Sequence, residues 1–414
     1  MPAYKVQRFT LWALTASSFL AFIEPSPYEI MFVISALVML ATGLRVIREI
    51  SLILFILLAY NMGGLISLMP YFDEYKPVMF VAISFYLSIT AIFFVMIMME
   101  DTVGRVEALE RGYVIAAVFA TVAAIIGFFD IAGLGPMFTR YEGSRATGTF
   151  KDPNVLGPFL VMPAIFLLHR VLIGNARRPI VNLLVLSFII VGLLLSFSRG
   201  AWADFVGSAI ILIGLNFIIA RRHTLRVRIV TITAIGIGAV IGVLAIALTF
   251  DKVSQMLTTR ASLSQSYDSG ETGRFGLQKR SIPLLLESPN GFGPLQFSRV
   301  MGADPHNVYV NGFASYGWLG GLSYVALIAA TVFVGWRLVF MRTPWQAVTL
   351  PVWASFFPQI VQGFQIDTDH WRHWWLMFGL TWGLAAVSER WLRHQAATRA
   401  AQAALASASA NARP

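Results

Sequence analysis

The chain has 414 residues, of which 57% are hydrophobic and 13% charged, with a mean hydropathy of +0.70. A soluble domain carries about a quarter charged residues, so these proportions exclude one and point to an all-α polytopic membrane protein. The lack of cysteine excludes disulfides, thiolate metal ligands and a cysteine nucleophile, and the net charge of +10 is accounted for below by topology rather than by nucleic-acid binding.

Apolar runs able to cross a hydrocarbon core of about 30 Å at 1.5 Å per residue recur from end to end. The expected spans are 9–23, 28–44, 50–69, 77–99, 112–130, 155–173, 180–197, 200–220, 229–250, 317–339, 345–366 and 371–389, about twelve transmembrane helices in a single membrane domain over 1–414. Pro25 and Pro27 interrupt the approach to the second. The first run leads into "IEPSPYEI", which offers no small-residue cleavage site, so it is expected to stay as an anchor. With both termini cytoplasmic, Lys5, Arg8, Arg45, Arg48, Arg105, Arg111, Arg170, Arg177, Arg178, Arg221, Arg222, Arg226, Arg228, Arg337, Arg342 and the arginines from Arg390 to Arg413 all fall inside. Glu24, Glu29, Asp73, Glu74, Asp367 and Asp369 fall outside. That asymmetry is the positive-inside pattern of a membrane protein.

Two outer loops are long, 130–154 and 251–316. The second contains "FGLQKRSIPLLL", expected as an amphipathic helix against the membrane face, and turn signals in "SPNGFGP". The tail 394–414 is alanine-rich and is expected to prolong the last helix on the cytoplasmic side. No duplication of six spans onto six is evident. Ionisable residues also avoid the bilayer centre, with Asp204, expected to face Arg199 or interfacial water, the nearest exception. Both features weigh against a transporter.

Polar chemistry gathers in three outer patterns. "GSRATGTFKDPNVLGPF" places Arg145, Lys151, Asp152 and Asn154 at the head of a helix, where unpaired backbone N–H groups favour either a cap or a substrate contact. "SFSRGAW" puts Arg199 in a tight reversal between two spans, where a guanidinium can grip phosphate bidentately, pair with Asp204 or anchor the interface. "GETGRFGLQKR" supplies Arg274, Lys279 and Arg280; helical from Arg274, it would put Arg274 and Gln278 on one face. A fourth stretch, "ADPHNVYVNGFASYGWLGG", sets His306 between Pro305 and Asn307 at the edge of a span. A histidine can take a proton from a hydroxyl near neutral pH, and it can equally bond a backbone carbonyl as a border residue. Tyr309, Phe313 and Tyr316 would add aromatic faces of the kind sugars stack upon. "DTDHWRHWW" carries His370 and His373 among Trp371, Trp374 and Trp375; it reads as an aromatic belt, and Asp369, His370 and His373 lack a recognised metal-ligand spacing.

"HNVYVNGFASYGWLGG" resembles the motif of the O-antigen ligase and polymerase superfamily, His306 and Asn307 followed by Gly317 and Gly320, and "GTFKDPNVLGPFL" and "SFSRGAW" look like two further patterns of that family in the same order. The resemblance implies a GT-C-like, metal-independent inverting glycosyltransferase of the bacterial inner membrane that uses no cofactor. It would move a glycan from undecaprenyl diphosphate to a sugar hydroxyl at the periplasmic face, with 251–316 as its large periplasmic loop. Carried over, His306 would be the general base and Arg199 and Arg274 would hold the donor diphosphate. Arg145, Lys151, Asp152, Asn154, Lys279, Arg280, Asn307 and Tyr309 would support them. The acceptor would be lipid A-core for a ligase or another lipid-linked glycan for a polymerase; a protein O-oligosaccharyltransferase is a third member activity. Ser315 and Tyr316 stand where many polymerases carry an acid before the paired glycines, which favours ligase.

Overall fold

The structure, a computed structural model, describes residues 2–44, 48–140, 145–174, 178–251, 253–256, 270 and 273–411. Arg45, Arg177, Arg413, the middle of each long outer loop, and Glu271 and Thr272 of "GETGRF" lie outside the described residues. Among the described residues the fold is all-α apart from a hairpin of two-residue strands, in which Thr139–Arg140 pairs antiparallel with Arg145–Ala146.

Every expected apolar run is occupied by a helix. In chain order these are α1 (Ala3–Ala16), α2 (Pro27–Ala41), α3 (Ser51–Leu68), α4 (Tyr75–Ile97), α5 (Thr102–Phe128), α6 (Pro153–Ile173), α7 (Pro179–Leu195), α8 (Arg199–Ile219) and α9 (His223–Ala247). After the loop helix α10 (Arg274–Leu286) come α11 (Val308–Phe340), α12 (Gln346–Gln362) and α13 (Arg372–Asn411). Among the described residues, seven helices are long and apolar enough to cross a membrane by length and composition, and Pro27–Ala41 and Pro179–Leu195 are shorter apolar helices.

The ends of these helices follow from local chemistry. Pro25 and Pro27, read above as an interruption, mark a start: Pro27 opens α2, the Ser26 hydroxyl accepts from the Tyr28 N–H, and the Glu29 carboxylate accepts from the Ser26 N–H at 2.6 Å. This capping box, with proline at the first helical position, is a strong helix initiator. The loop segment from Arg274 is helical as expected, and α13 carries on through the alanine-rich tail to Asn411. By contrast, α11 begins at Val308, before the expected span, and bends at Gly317, whose φ of 65° only glycine adopts readily.

The bundle packs α3 on α11, α1 on α5, α4 on α13, α6 on α7 and α8, and α12 on α8. Small residues let these backbones touch, as membrane helices require. A Cβ on Gly63 would lie 2.4 Å from the Gly320 nitrogen, and one on Gly112 would lie 2.2 Å from the Trp12 carbonyl oxygen. The paired glycines of the "GWLGG" motif therefore have structural work: Gly317 makes the bend and Gly320 seats α11 against α3.

Two expectations are corrected. Trp371, Trp374 and Trp375 form no interfacial belt: they are 7%, 0% and 0% exposed, because the start of α13 is sunk into the bundle, with the Trp375 indole donating to the Asp369 carbonyl at 2.6 Å. For Asp204, the second of its two expected surroundings, interfacial water, is the one overturned. One turn into α8, it is 3% exposed, and its Oδ2 has no hydrogen-bond partner among the described residues.

Candidate active site

The C-terminal end of α12 is where the separate patterns meet. At the "SFSRGAW" reversal, Phe197 takes a left-handed φ of 46°, the Ser198 hydroxyl caps α8 by accepting from the Ala201 N–H, and Arg199 opens the helix half-buried. Its neighbour Gly200 lies so close to Gln362 that a Cβ would come within 2.4 Å of the Gln362 Nε2. Three residues on, the Arg274 guanidinium donates to the Gln365 carbonyl at 3.1 Å. Between them, the Val308 N–H donates to the Gly363 carbonyl at 2.9 Å, and the Tyr309 hydroxyl donates to the Ile360 carbonyl at 2.6 Å. Segments carrying Arg199, Arg274 and His306, far apart in the chain, thus seat on one short stretch, Ile360 to Gln365. Nothing in the periodicity of "FFPQIVQGFQ" announces that role; its main-chain carbonyls at a helix end, free of intrahelical partners, are the main source of it.

His306 is held by its neighbours. It is exposed, with φ of 45°, in the left-handed region that histidine visits more than most residues but at a cost. Gln278, buried on α10, clamps both sides of it: the Gln278 amide donates to the Pro305 carbonyl at 2.8 Å and accepts from the Asn307 side chain at 3.2 Å. The Asn307 side-chain oxygen meanwhile accepts from the Tyr309 and Val310 N–H groups and so starts α11. The expectation that Arg274 and Gln278 share a face of α10 points to the right helix; what spacing could not show is that Gln278 reaches across to the histidine turn.

The supporting residues divide. Arg145 joins two patterns, donating to the Ser196 carbonyl at 3.0 Å and to the Asn154 side-chain oxygen at 2.7 Å. Asp152 is the cap of α6, accepting from the Asn154 N–H at 2.7 Å, and Lys151 is ion-paired with Glu24. Lys279 and Arg280 are exposed on α10. Tyr309, half-buried, packs against Phe364 with the rings tilted by 39° and their centroids 4.4 Å apart. Tyr316 is withdrawn as a sugar platform: it is 1% exposed, stacked on Tyr60 at 4.4 Å and bonded to Ser84 at 2.6 Å. Phe313 packs partly buried against the cluster formed by Leu285, Phe297 and Ala314.

An acidic group borders the same stretch. Asp367 follows Gln365 and faces the Asn307 backbone N–H; burial first, then Asp369 and Asp304, push its carboxyl up to about 8. Asp369 is 3% exposed and lies 3.2 Å from the His370 Nδ1. Burial alone would lower the His370 pKa, but the Asp369 carboxylate, together with the Phe80 carbonyl and Asp367, more than reverses this and raises it. The His370 Nε2 meanwhile sits 3.2 Å from the Phe80 carbonyl and 3.3 Å from Ser84. Among the described residues no group of three His, Asp or Glu side chains is placed to hold a metal ion.

A family model described as O-antigen ligase matches residues 183–325, which supports placing the chain in the O-antigen ligase superfamily. The matched region contains Arg199, Arg274, His306, Gly317 and Gly320, and ends before the α12–α13 connection on which their segments seat. Among curated proteins, none matches the chain.

Proposed function

We propose that this membrane protein, carrying an O-antigen ligase region over 183–325, is a GT-C-like glycosyltransferase with twelve spans. It transfers a glycan from undecaprenyl diphosphate to a sugar hydroxyl of lipid A-core at the periplasmic face of the bacterial inner membrane. The observation that supports this reading best is the seating of the Arg199, Arg274 and His306 segments on Ile360 to Gln365. In this reading both termini are cytoplasmic, and 130–154 and 251–316 face the periplasm.

The chemistry assigned to these residues balances. His306 takes the proton of the acceptor hydroxyl as its oxygen attacks the anomeric carbon. The bond from that carbon to the diphosphate breaks on the opposite side, which inverts the centre. The diphosphate leaves with its electron pair, and the Arg199 and Arg274 guanidiniums stabilise the charge it develops. Guanidinium suits the task because it stays protonated and offers paired donors to phosphate oxygens.

Incubating the purified protein with a lipid-linked oligosaccharide, with and without core acceptor, tests the assignment. Transfer only when core is present is expected. Longer lipid-linked chains formed without core would instead mean a polymerase, and no glycan transfer in either arm would remove the proposal.

A further inference from the structure

A cavity beside the start of α13 has neither His306 nor Arg199 nor Arg274 in its lining. It holds about 180 Å³, several times the roughly 30 Å³ that a water molecule occupies in the liquid, and so admits a solute the size of one sugar ring. Its walls come from the last turn of α1, the start of α2, the middle of α5, the start of α6 and the start of α13. Gly112, having no side chain, lets α1 come against the α5 backbone, and the next residue, Tyr113, lines the cavity.

The lining mixes hydroxyls and ring nitrogens with aromatic surface, including Phe150, Phe159 and Trp371. Two of its polar residues are buried with an unmet need. Tyr113 is 2% exposed and its hydroxyl has no hydrogen-bond partner among the described residues; His373 is 5% exposed and the same holds for its Nε2. A buried polar group without a partner costs about 1–3 kcal/mol, and such groups in native proteins generally have a ligand or water to meet. The cations of the lining are already matched, Arg372 by Glu29 at 2.5 Å and Lys151 by Glu24. With its charges paired off, the cavity favours a neutral guest that offers hydroxyls and an apolar ring face.

We propose that this cavity is a subsite for one neutral sugar residue of the acceptor glycan, an inference that rests on the glycosyltransferase reading above. His370, which lines the cavity, also pairs with Asp369 beside the Ile360 to Gln365 seat. Neither Arg199 nor Arg274 lines the cavity, so a sugar held there is bound apart from the donor diphosphate and is assigned to the acceptor.

The test uses the full chain in nanodiscs and the variant Tyr113→Phe, which removes only the hydroxyl. Since that hydroxyl has no protein partner, the variant should melt no lower than wild type. In transfer assays its KM for the core acceptor should rise about three- to tenfold, the worth of one neutral hydrogen bond, with kcat and the donor KM within twofold. A rise in donor KM instead, or no change in either, would overturn the acceptor subsite. Saturation-transfer NMR with methyl glucoside and methyl galactoside gives a readout independent of catalysis. Wild type and His306→Ala should both show contact with at least one of these sugars, and Tyr113→Phe should lose it. Sugar contact in a wild type that transfers nothing would sink the transferase reading while keeping the cavity's specificity; equal contact in wild type and Tyr113→Phe, or none in wild type, would sink the cavity proposal alone.

Discussion

Gln278 carries more of the site than its neutral side chain suggests. By bonding the residues on either side of His306, it holds a left-handed histidine whose backbone strain is of order 1–3 kcal/mol. Gln278→Ala frees that turn and leaves the Pro305 carbonyl and the Asn307 amide short of partners. It should lower kcat about tenfold with donor KM little changed; a full-rate variant would show that the histidine turn needs no clamp. Asp367 permits a pH test. Its carboxyl titrates near 8 in the folded protein against a usual value of 3.8, so between about pH 4 and pH 8 the folded state holds a proton that the unfolded chain releases. Stability must then fall as pH rises through that window. His370, whose pKa is raised above 6.5, adds a loss of the same sign as pH climbs through its folded value. Thermal melting from pH 4 to 8 should show the decline, and Asp367→Asn should flatten it; parallel curves would place the proton elsewhere.

Helices show where sequence reading succeeds and where it stops. Hydrophobic runs located the seven helices that are long and apolar enough to cross a membrane among the described residues, because a 1.5 Å rise and an apolar surface leave little choice of structure. Capping chemistry was legible at Asp152, where X-Asp-Pro before an apolar run means a cap, and the helix of "RFGLQKRSIPLLL" was legible from its apolar spacing. Burial was not. Composition could not separate tryptophans sunk in a bundle from tryptophans at an interface, nor a tyrosine offered to sugar from Tyr316 locked on Tyr60. The seat at Ile360 to Gln365 was invisible for a plainer reason: apart from the Gln362 side chain against Gly200, it works through main-chain carbonyls, which carry no side-chain signature. Gly317 offers an element-scale prediction. An added Cβ would meet the Pro289 carbonyl oxygen at 2.6 Å and the φ of 65° would strain any other residue. Gly317→Ala should therefore cost about 1–3 kcal/mol of stability, read as lower yield and melting temperature; wild-type behaviour would mean the bend is dispensable.

For the whole molecule, the account requires one face to hold all the chemistry. The chain contains no cysteine, so single cysteines report topology without background. Lys279→Cys and Asp304→Cys, both exposed, should react with an impermeant maleimide added to intact spheroplasts, whereas Arg222→Cys and His394→Cys should react only after permeabilisation. The opposite pattern would turn the site toward the cytosol, away from a periplasmic acceptor. In the proposed function Arg199 and Arg274 would reach the donor from different helices, so losing either should remove about 10²–10³ of rate, as loss of an oxyanion donor does. The most direct measurement is glycan transfer from a lipid-linked oligosaccharide to core by purified wild type and His306→Ala in nanodiscs. The account predicts transfer by wild type and none by a variant that remains folded and still binds donor. Undiminished transfer by His306→Ala would contradict it.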